Sequence, residues 1–259
     1  MSYNDPNRPT QSNAQKPAWA TPAQPATVTP NTLSGGVRVA AIPREGFLTA
    51  AFVWMFAGLL LSAISATFVM NNPSALNQVV NNWFILVLAE FGLVIAIMAL
   101  IKRINPLVAL GLFFAYALLN GLTIGVIVLA YSSEGSISGV VSAFLGASAI
   151  FAGAAIYGGV TKRDLTTLGG FLFMGLLGLV VVSFLQIFFF AGNGMASFLI
   201  GVVGVLVFTG LTAWDVQRIK NGAMPNINKD SASVMGALAL YLDFINLFLF
   251  MLRIFGGSR

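Results

Sequence analysis

Seven long apolar runs dominate this chain, and each is long enough to cross a lipid bilayer as a helix. A span needs about 20 apolar residues because the hydrocarbon core is about 30 Å thick. Only 8% of the residues are charged, whereas soluble domains carry about 25%. The sequence therefore predicts an all-α integral membrane protein with seven transmembrane helices, at 48–70, 82–102, 106–130, 138–160, 168–190, 197–219 and 233–255.

The first 46 residues differ from the rest of the chain. They hold seven of the ten prolines and many Asn, Gln, Ser and Thr residues. Such a segment buries too little apolar surface to offset the entropy lost on ordering. We predict a disordered cytoplasmic tail at 1–46 and a transmembrane domain at 47–259.

The composition also excludes several kinds of chemistry. The chain has no cysteine and no histidine, which removes thiol nucleophiles, disulfides, zinc–thiolate sites and imidazole catalysis. Its basic residues are scattered singly and in pairs, a pattern that suits membrane-facing loops and not a nucleic-acid groove. We expect a non-enzymatic protein with no bound cofactor and no nucleic-acid partner, whose environment is the lipid bilayer.

The lysines and arginines predict an orientation. With the N-terminus inside, eleven of the thirteen fall in inner segments, as the positive-inside rule requires. Arg253 and Arg259 are the exceptions, and a seventh segment that failed to cross fully would remove them. We predict a cytoplasmic N-terminus.

Three acids interrupt the predicted spans: Glu90 in the second, Asp215 in the sixth and Asp243 in the seventh. An ionised acid at the bilayer centre costs at least about 2.5–3.5 kcal/mol, so these residues face the bundle interior and are functional candidates. Asp215 and Asp243 fall in the same half of the membrane on an antiparallel hairpin. If they meet, they titrate as a unit, and their oxygens also suit Ca²⁺.

A structural role for each acid is the alternative. Glu90 would then be hydrogen-bonded to a polar stripe on the third span, and Asp215 or Asp243 paired with Arg103 or Arg218. The stripe contains Asn120, Tyr116 and Thr123. Its residue types leave open whether it lines an ion pathway or forms polar contacts between packed helices. The seventh span carries a small and polar seam with Asp243 and Asn246, while its other faces are bulky and apolar. This pattern predicts a central position.

Two stretches in the last two spans carry a family resemblance. The sequence Gly-Leu-Thr-Ala-Trp-Asp-Val-Gln-Arg-Ile-Lys occupies 210–220, and Ala-Leu-Tyr-Leu-Asp-Phe-Ile-Asn-Leu-Phe occupies 239–248. Both resemble the paired signatures of the Bax inhibitor family, the transmembrane Bax inhibitor motif proteins. The number of spans and the position of Glu90 also agree, so the resemblance covers residues 47–255.

The resemblance implies six helices around a central seventh and a pH-sensitive calcium leak. Asp215 and Asp243 match the family's di-aspartyl sensor, Glu90 is the candidate pore acid, and Arg103 is the best match to a basic latch. The short segment after Arg253 favours a bacterial-type member in the plasma (inner) membrane. The permeant ions would be calcium, protons or other cations.

Three other functions are alternatives to a calcium leak. An intramembrane aspartyl protease is disfavoured because Asp243 follows Leu-Tyr-Leu and not Gly-x-Gly. A secondary transporter is disfavoured because the two halves lack matching broken helices. A membrane-embedded regulator that contacts other membrane proteins, such as proteases, remains the main alternative.

Overall fold

A computed structural model of the chain describes residues 46–133, 137–189, 193–222 and 229–256. The predicted tail, apart from Gly46, lies outside the described residues. Every regular element in the described part of the chain is a helix. The helices are α1 (Phe47–Asn71), α2 (Pro73–Asn81), α3 (Trp83–Leu100), α4 (Pro106–Ser133), α5 (Ile137–Val160), α6 (Thr166–Phe189), α7 (Gly194–Lys220) and α8 (Lys229–Gly256).

Seven of these helices are long and apolar enough to cross a membrane, and they correspond to the seven predicted spans. Large apolar side chains cover their outer surfaces: Phe84, Phe171 and Phe189 are more than 70% exposed. Lipid is the solvent that accepts such a surface, because soluble monomers rarely expose apolar patches of this extent. The chain is therefore an all-α, multi-pass membrane protein.

The short helix α2 differs from the prediction, in which its residues belong to the connection between the first two spans. Its start follows a simple rule, since Pro73 occupies the first helical turn and Asn72 is the N-cap. The Asn72 side chain accepts hydrogen bonds from the backbone N–H groups of Ser74 and Ala75 at 3.1 and 3.2 Å. Proline early in a helix and asparagine before it are both favoured for this reason.

Other spans begin and end with similar local chemistry. Asn193 accepts a 3.0 Å hydrogen bond from the N–H of Ala196 at the start of α7. Asp164 accepts one of 2.9 Å from the N–H of Thr166 at the start of α6. The end of α7 is set by Gly222, whose φ of 64° lies in the left-handed region that glycine adopts without a steric penalty.

Helix α8 occupies the centre of the bundle. It packs against α1, α4, α5 and α7, while α3 packs on α4 and α6 packs on α7. Of its membrane-spanning window, 67% is buried inside the protein, a larger share than for any other span in the described residues. The apolar segment Ser231–Phe255 has 25 residues, which is enough to cross fully. The predicted central seventh span is confirmed.

Small residues hold α1 and α4 close together. A Cβ atom added at Gly125 would lie 2.8 Å from the carbonyl oxygen of Ala66 and 3.0 Å from its Cα. Gly121, one turn earlier, faces the backbone of Ser62 in the same way. Such contacts between backbones are what small residues spaced by four allow in membrane helices.

We expect Gly125→Ala to destabilise the bundle by about 1–3 kcal/mol, because the new methyl group must push two backbones apart. Gly111→Ala is the matched control on the same helix, since nothing lies within 4 Å of its Cβ position. The measurement is thermal unfolding in detergent. Equal unfolding temperatures for the two variants would contradict the close approach of α1 and α4.

Candidate functional site

Helix α8 carries two polar side chains on opposite faces. Tyr241 and Asp243 are two residues apart, which corresponds to a rotation of about 200° around an α-helix. Both are buried, Asp243 to 4% exposure and Tyr241 completely. Each belongs to a separate cluster of polar groups between the spans, one with α7 and one with α1, α3 and α4.

The first cluster joins the two predicted aspartates. Asp215 of α7 is 7% exposed, and its carboxyl group lies close enough to that of Asp243 for the two groups to interact electrostatically. Two carboxyl groups that interact in this way do not titrate independently of each other. The structure thus places Asp215 and Asp243 in contact as one carboxyl pair.

Thr212, one turn before Asp215, also contacts the carboxyl group of Asp243 through its hydroxyl group. The same hydroxyl donates a 2.7 Å hydrogen bond to the carbonyl oxygen of Phe208 within α7. The single hydroxyl proton of Thr212 is thus used within α7. Asp243 therefore faces two polar side chains of α7, those of Thr212 and Asp215.

A cation lies beside the pair. Arg218 Nη2 is 2.8 Å from Asp215 Oδ1, and the two residues are three apart on α7. The guanidinium also lies over the indole ring of Trp214, 4.5 Å from its centroid. Contacts with a carboxylate and an aromatic face both favour a positive charge at this position.

Arg103, the predicted latch, is placed elsewhere. It is exposed in the turn that follows α3, where its N–H donates to the carbonyl oxygen of Leu100 at 2.7 Å. Between described residues the only ion pair is the one formed by Asp215 and Arg218. In this structure the cation at the carboxyl pair is thus Arg218, and a latch role for Arg103 stays a prediction.

Part of the pair's hydrogen-bonding capacity is unused among the described residues. Asp243 Oδ2 and Arg218 Nε have no hydrogen-bond partner, and Asp215 Oδ1 meets Arg218 as an ion pair without an aligned hydrogen bond. The described residues contain no group of three or more acidic side chains. Because a calcium cage uses about 6–8 oxygen ligands, the two aspartates do not by themselves form a complete calcium cage, and Ca²⁺ at this pair stays a prediction.

The second cluster surrounds Glu90, which is 8% exposed on α3. Asn120 Nδ2 donates to Glu90 Oε2 at 3.3 Å, and the Thr123 hydroxyl donates a short hydrogen bond to Oε1. Asn120 and Thr123 are two of the three residues of the polar stripe that were predicted as hydrogen-bond partners of Glu90. The stripe on α4 therefore serves to satisfy the buried acid.

The Glu90 cluster extends through α8 to α1. Tyr241 Oη donates to Asn120 Oδ1 at 3.0 Å and lies 2.6 Å from the Ser62 hydroxyl. The Ser62 hydroxyl in turn donates to the carbonyl oxygen of Ala117 at 2.7 Å. A connected set of side chains thus links α3, α4, α8 and α1 within the bundle.

Tyr241 and Ser62 are not among the site residues predicted from the sequence. The signal for Tyr241 was available, since a tyrosine two residues from a buried aspartate faces the other side of the helix and needs a partner for its hydroxyl group. Asn246, the other polar residue of the predicted seam, is half-buried and donates to the Leu242 carbonyl oxygen of its own helix at 2.7 Å. Its contact is local to α8.

Comparison with known proteins identifies the family of the chain. The family model described as inhibitor of apoptosis-promoting Bax1 matches residues 44–259, a range that includes all eight helices and both clusters. The chain belongs to the Bax inhibitor-1 family. The predicted resemblance is confirmed.

Several bacterial proteins are similar to this chain in sequence. The inner membrane protein YbhL of Escherichia coli K12 is 36% identical over 228 residues, which cover 84% of this chain and 95% of YbhL. An uncharacterized protein of Deinococcus radiodurans is 39% identical over 82% of this chain and 90% of its own length. One of Borreliella burgdorferi is 38% identical over 83% and 94%.

We expect Tyr241→Phe to destabilise the protein by about 0.6–1.7 kcal/mol, the range for hydrogen bonds between membrane helices. The loss arises because Asn120 and Ser62 each lose a buried partner. Tyr157→Phe is the control, since Tyr157 is 48% exposed on α5. Thermal unfolding of both variants in the same detergent measures the difference. A Tyr241→Phe variant no less stable than Tyr157→Phe would contradict the network.

Proposed function

We propose that this member of the Bax inhibitor-1 family is a pH-sensitive cation leak that passes calcium and is gated by Asp215 and Asp243. The observation that carries the proposal is a buried carboxyl pair between α7 and the central helix α8, with the guanidinium of Arg218 beside it. A pair of this kind changes its charge with pH in a protein that has no histidine.

The proposed gate works through charge balance. With one shared proton, the pair carries one negative charge, which the ion pair with Arg218 neutralises. Loss of that proton would place two like charges beside each other, and two unit charges separated by about 4 Å repel by on the order of 4 kcal/mol at an effective dielectric of 20. Addition of a second proton would instead remove the charge that Arg218 binds. Either change weakens the contact between α7 and α8.

Helix α8 would transmit this change to Glu90. Tyr241 connects α8 to Asn120, and Asn120 donates to the Glu90 carboxyl group. A movement of α8 would therefore alter the hydrogen bonds that occupy the Glu90 oxygens. We propose that Glu90 then becomes available to a passing cation, which is the role expected of an acid inside a membrane protein.

The proposed location is the plasma membrane, with the N-terminus in the cytoplasm. YbhL is an inner membrane protein, and the distribution of lysine and arginine favours a cytoplasmic N-terminus.

The test is Ca²⁺ flux into dye-loaded proteoliposomes between about pH 5 and pH 8, where a carboxyl pair with perturbed titration changes charge. Wild-type flux is expected to vary with pH, and Asp215→Asn or Asp243→Asn to flatten that variation, because either variant removes one of the two coupled groups. Arg218→Gln is expected to move the transition by about one pH unit or more, since it removes the neighbouring cation.

Glu134→Gln is the matched control, because it removes an acid from the connection between α4 and α5 and not from a span. It is expected to keep the wild-type pH profile. Arg103→Gln tests the predicted latch separately in the same assay. Flux no greater than that of empty liposomes at every pH would contradict the leak, and an unchanged profile in Asp243→Asn would contradict the gate.

A further inference from the structure

A polar cleft lies away from both clusters, at the end of the bundle where α5 and α7 finish and α6 begins. Its volume is about 280 Å³, and it is lined by Gly158, Thr161, Lys162, Arg163, Asp164, Gln217, Lys220 and Asn221. These residues come from the last turn of α5, the α5–α6 connection and the last turn of α7. The cleft is therefore at the boundary between the membrane interior and water.

The walls of the cleft are fixed to each other by hydrogen bonds from α7. Gln217 is buried, its Nε2 donates to the carbonyl oxygen of Arg163 at 2.7 Å, and its Oε1 accepts from the N–H of Leu165 at 2.9 Å. Lys220 Nζ donates a short hydrogen bond to the carbonyl oxygen of Gly159. A cleft held in this way is formed before any ligand arrives, which lowers the free energy needed for binding.

The charge of the lining is positive. Three cations, Lys162, Arg163 and Lys220, face one carboxylate, that of Asp164. Hydrogen bonds from the side chain and backbone of Thr166 lower the pKa of Asp164, so this residue stays ionised. Its carboxylate accepts a hydrogen bond from the Thr166 N–H at the start of α6. Neither Lys162 nor Arg163 forms an ion pair with a carboxylate in the described part of the chain.

Two helix C-termini also border the cleft, and their free carbonyl groups disfavour an anion. Lys220 offsets part of this effect because it binds the carbonyl oxygen of Gly159, one of the last carbonyls of α5. The side chains of Lys162 and Arg163 are exposed and available for a ligand. The lining as a whole carries three positive charges and one negative charge, which gives a net charge of +2.

We propose that this cleft binds a phosphate-bearing anion, namely the headgroup of an anionic phospholipid or a free phosphate. Arginine and lysine are the side chains that proteins use for phosphate groups. The volume lies just below the range of about 300–1,000 Å³ typical of drug-sized ligands, which suits a single headgroup and not a nucleotide. The site does not depend on the proposed leak, because it is defined by binding.

The test is isothermal titration calorimetry on the full chain in an uncharged detergent. Three probes are titrated: dihexanoyl-phosphatidylglycerol, dihexanoyl-phosphatidylcholine and inorganic phosphate. We expect phosphatidylglycerol to bind, and the double variant Lys162→Gln/Arg163→Gln to weaken it roughly tenfold or more, on the scale expected for two basic residues beside an anionic lipid. Phosphatidylcholine has the same phosphodiester but carries its own cation, so we expect weaker binding.

Lys102→Gln/Arg103→Gln is the matched control, because it removes an equal charge next to α3, which packs on α4 and α2. It is expected to bind phosphatidylglycerol as the wild type does. Asp164→Asn retains a capping oxygen and removes the only acid of the lining, so it is expected to tighten binding. This variant tests the site even if the double variant fails to fold.

The probes distinguish the two sources of the phosphate group. Binding of phosphatidylglycerol that exceeds binding of inorganic phosphate supports a lipid headgroup, and the reverse supports a soluble phosphate. Equal weakening by the two double variants would overturn the proposal, because only general charge would then attract the anion. Equal affinity for phosphatidylglycerol and phosphatidylcholine, or an unchanged affinity in Asp164→Asn, would also overturn it.

Discussion

The absence of water in the bilayer interior is the constraint on which this structure depends. Buried acids there need partners from neighbouring helices, because no solvent satisfies them. Helix α8 meets this requirement on two opposite faces, with Asp243 bound by α7 and Tyr241 bound by α1 and α4. The central position of α8 follows from this arrangement, because a helix with polar groups on two opposite faces needs neighbouring helices on both of them. The proposed gate uses this arrangement, with α8 as the element that links the two faces.

Much of the architecture could be predicted from the sequence. Seven apolar runs separated by polar or Gly/Pro residues located the spans. In lipid, a segment that is not part of a closed barrel can satisfy its backbone hydrogen bonds only as a helix. The antiparallel hairpin of the last two spans placed Asp215 and Asp243 in the same half of the membrane, and the structure brings them into contact. The partners of Glu90 were predictable because Asn120 and Thr123 share a face of one helix.

Other features were not predictable, and the reason is geometric. Rotation about each helix axis decides which side chains meet, and α1, whose few polar residues are mainly serines and threonines, gives only a weak sign of its rotation. The contact between Ser62 and Tyr241 therefore appears only once α1 and α8 are packed. The counter-ion presented a similar difficulty: Arg218 and Arg103 both lay near a span end, and only the structure places Arg218 over Trp214 and beside Asp215. The short helix α2 has its own caps and was missed because it is too short to span.

The central claim is that Asp215 and Asp243 share one proton and act as a single titrating unit. Infrared difference spectra, recorded against pH on protein carrying ¹³C-labelled aspartate carboxyl groups, test it most directly, because the chain has only five aspartates. The account predicts that a protonated aspartic acid band is present in the wild type, and that either Asp215→Asn or Asp243→Asn shifts the titration of the carboxyl group that remains. A band that titrates identically after one of the two aspartates is replaced would show that the carboxyl groups are independent, and would contradict the account.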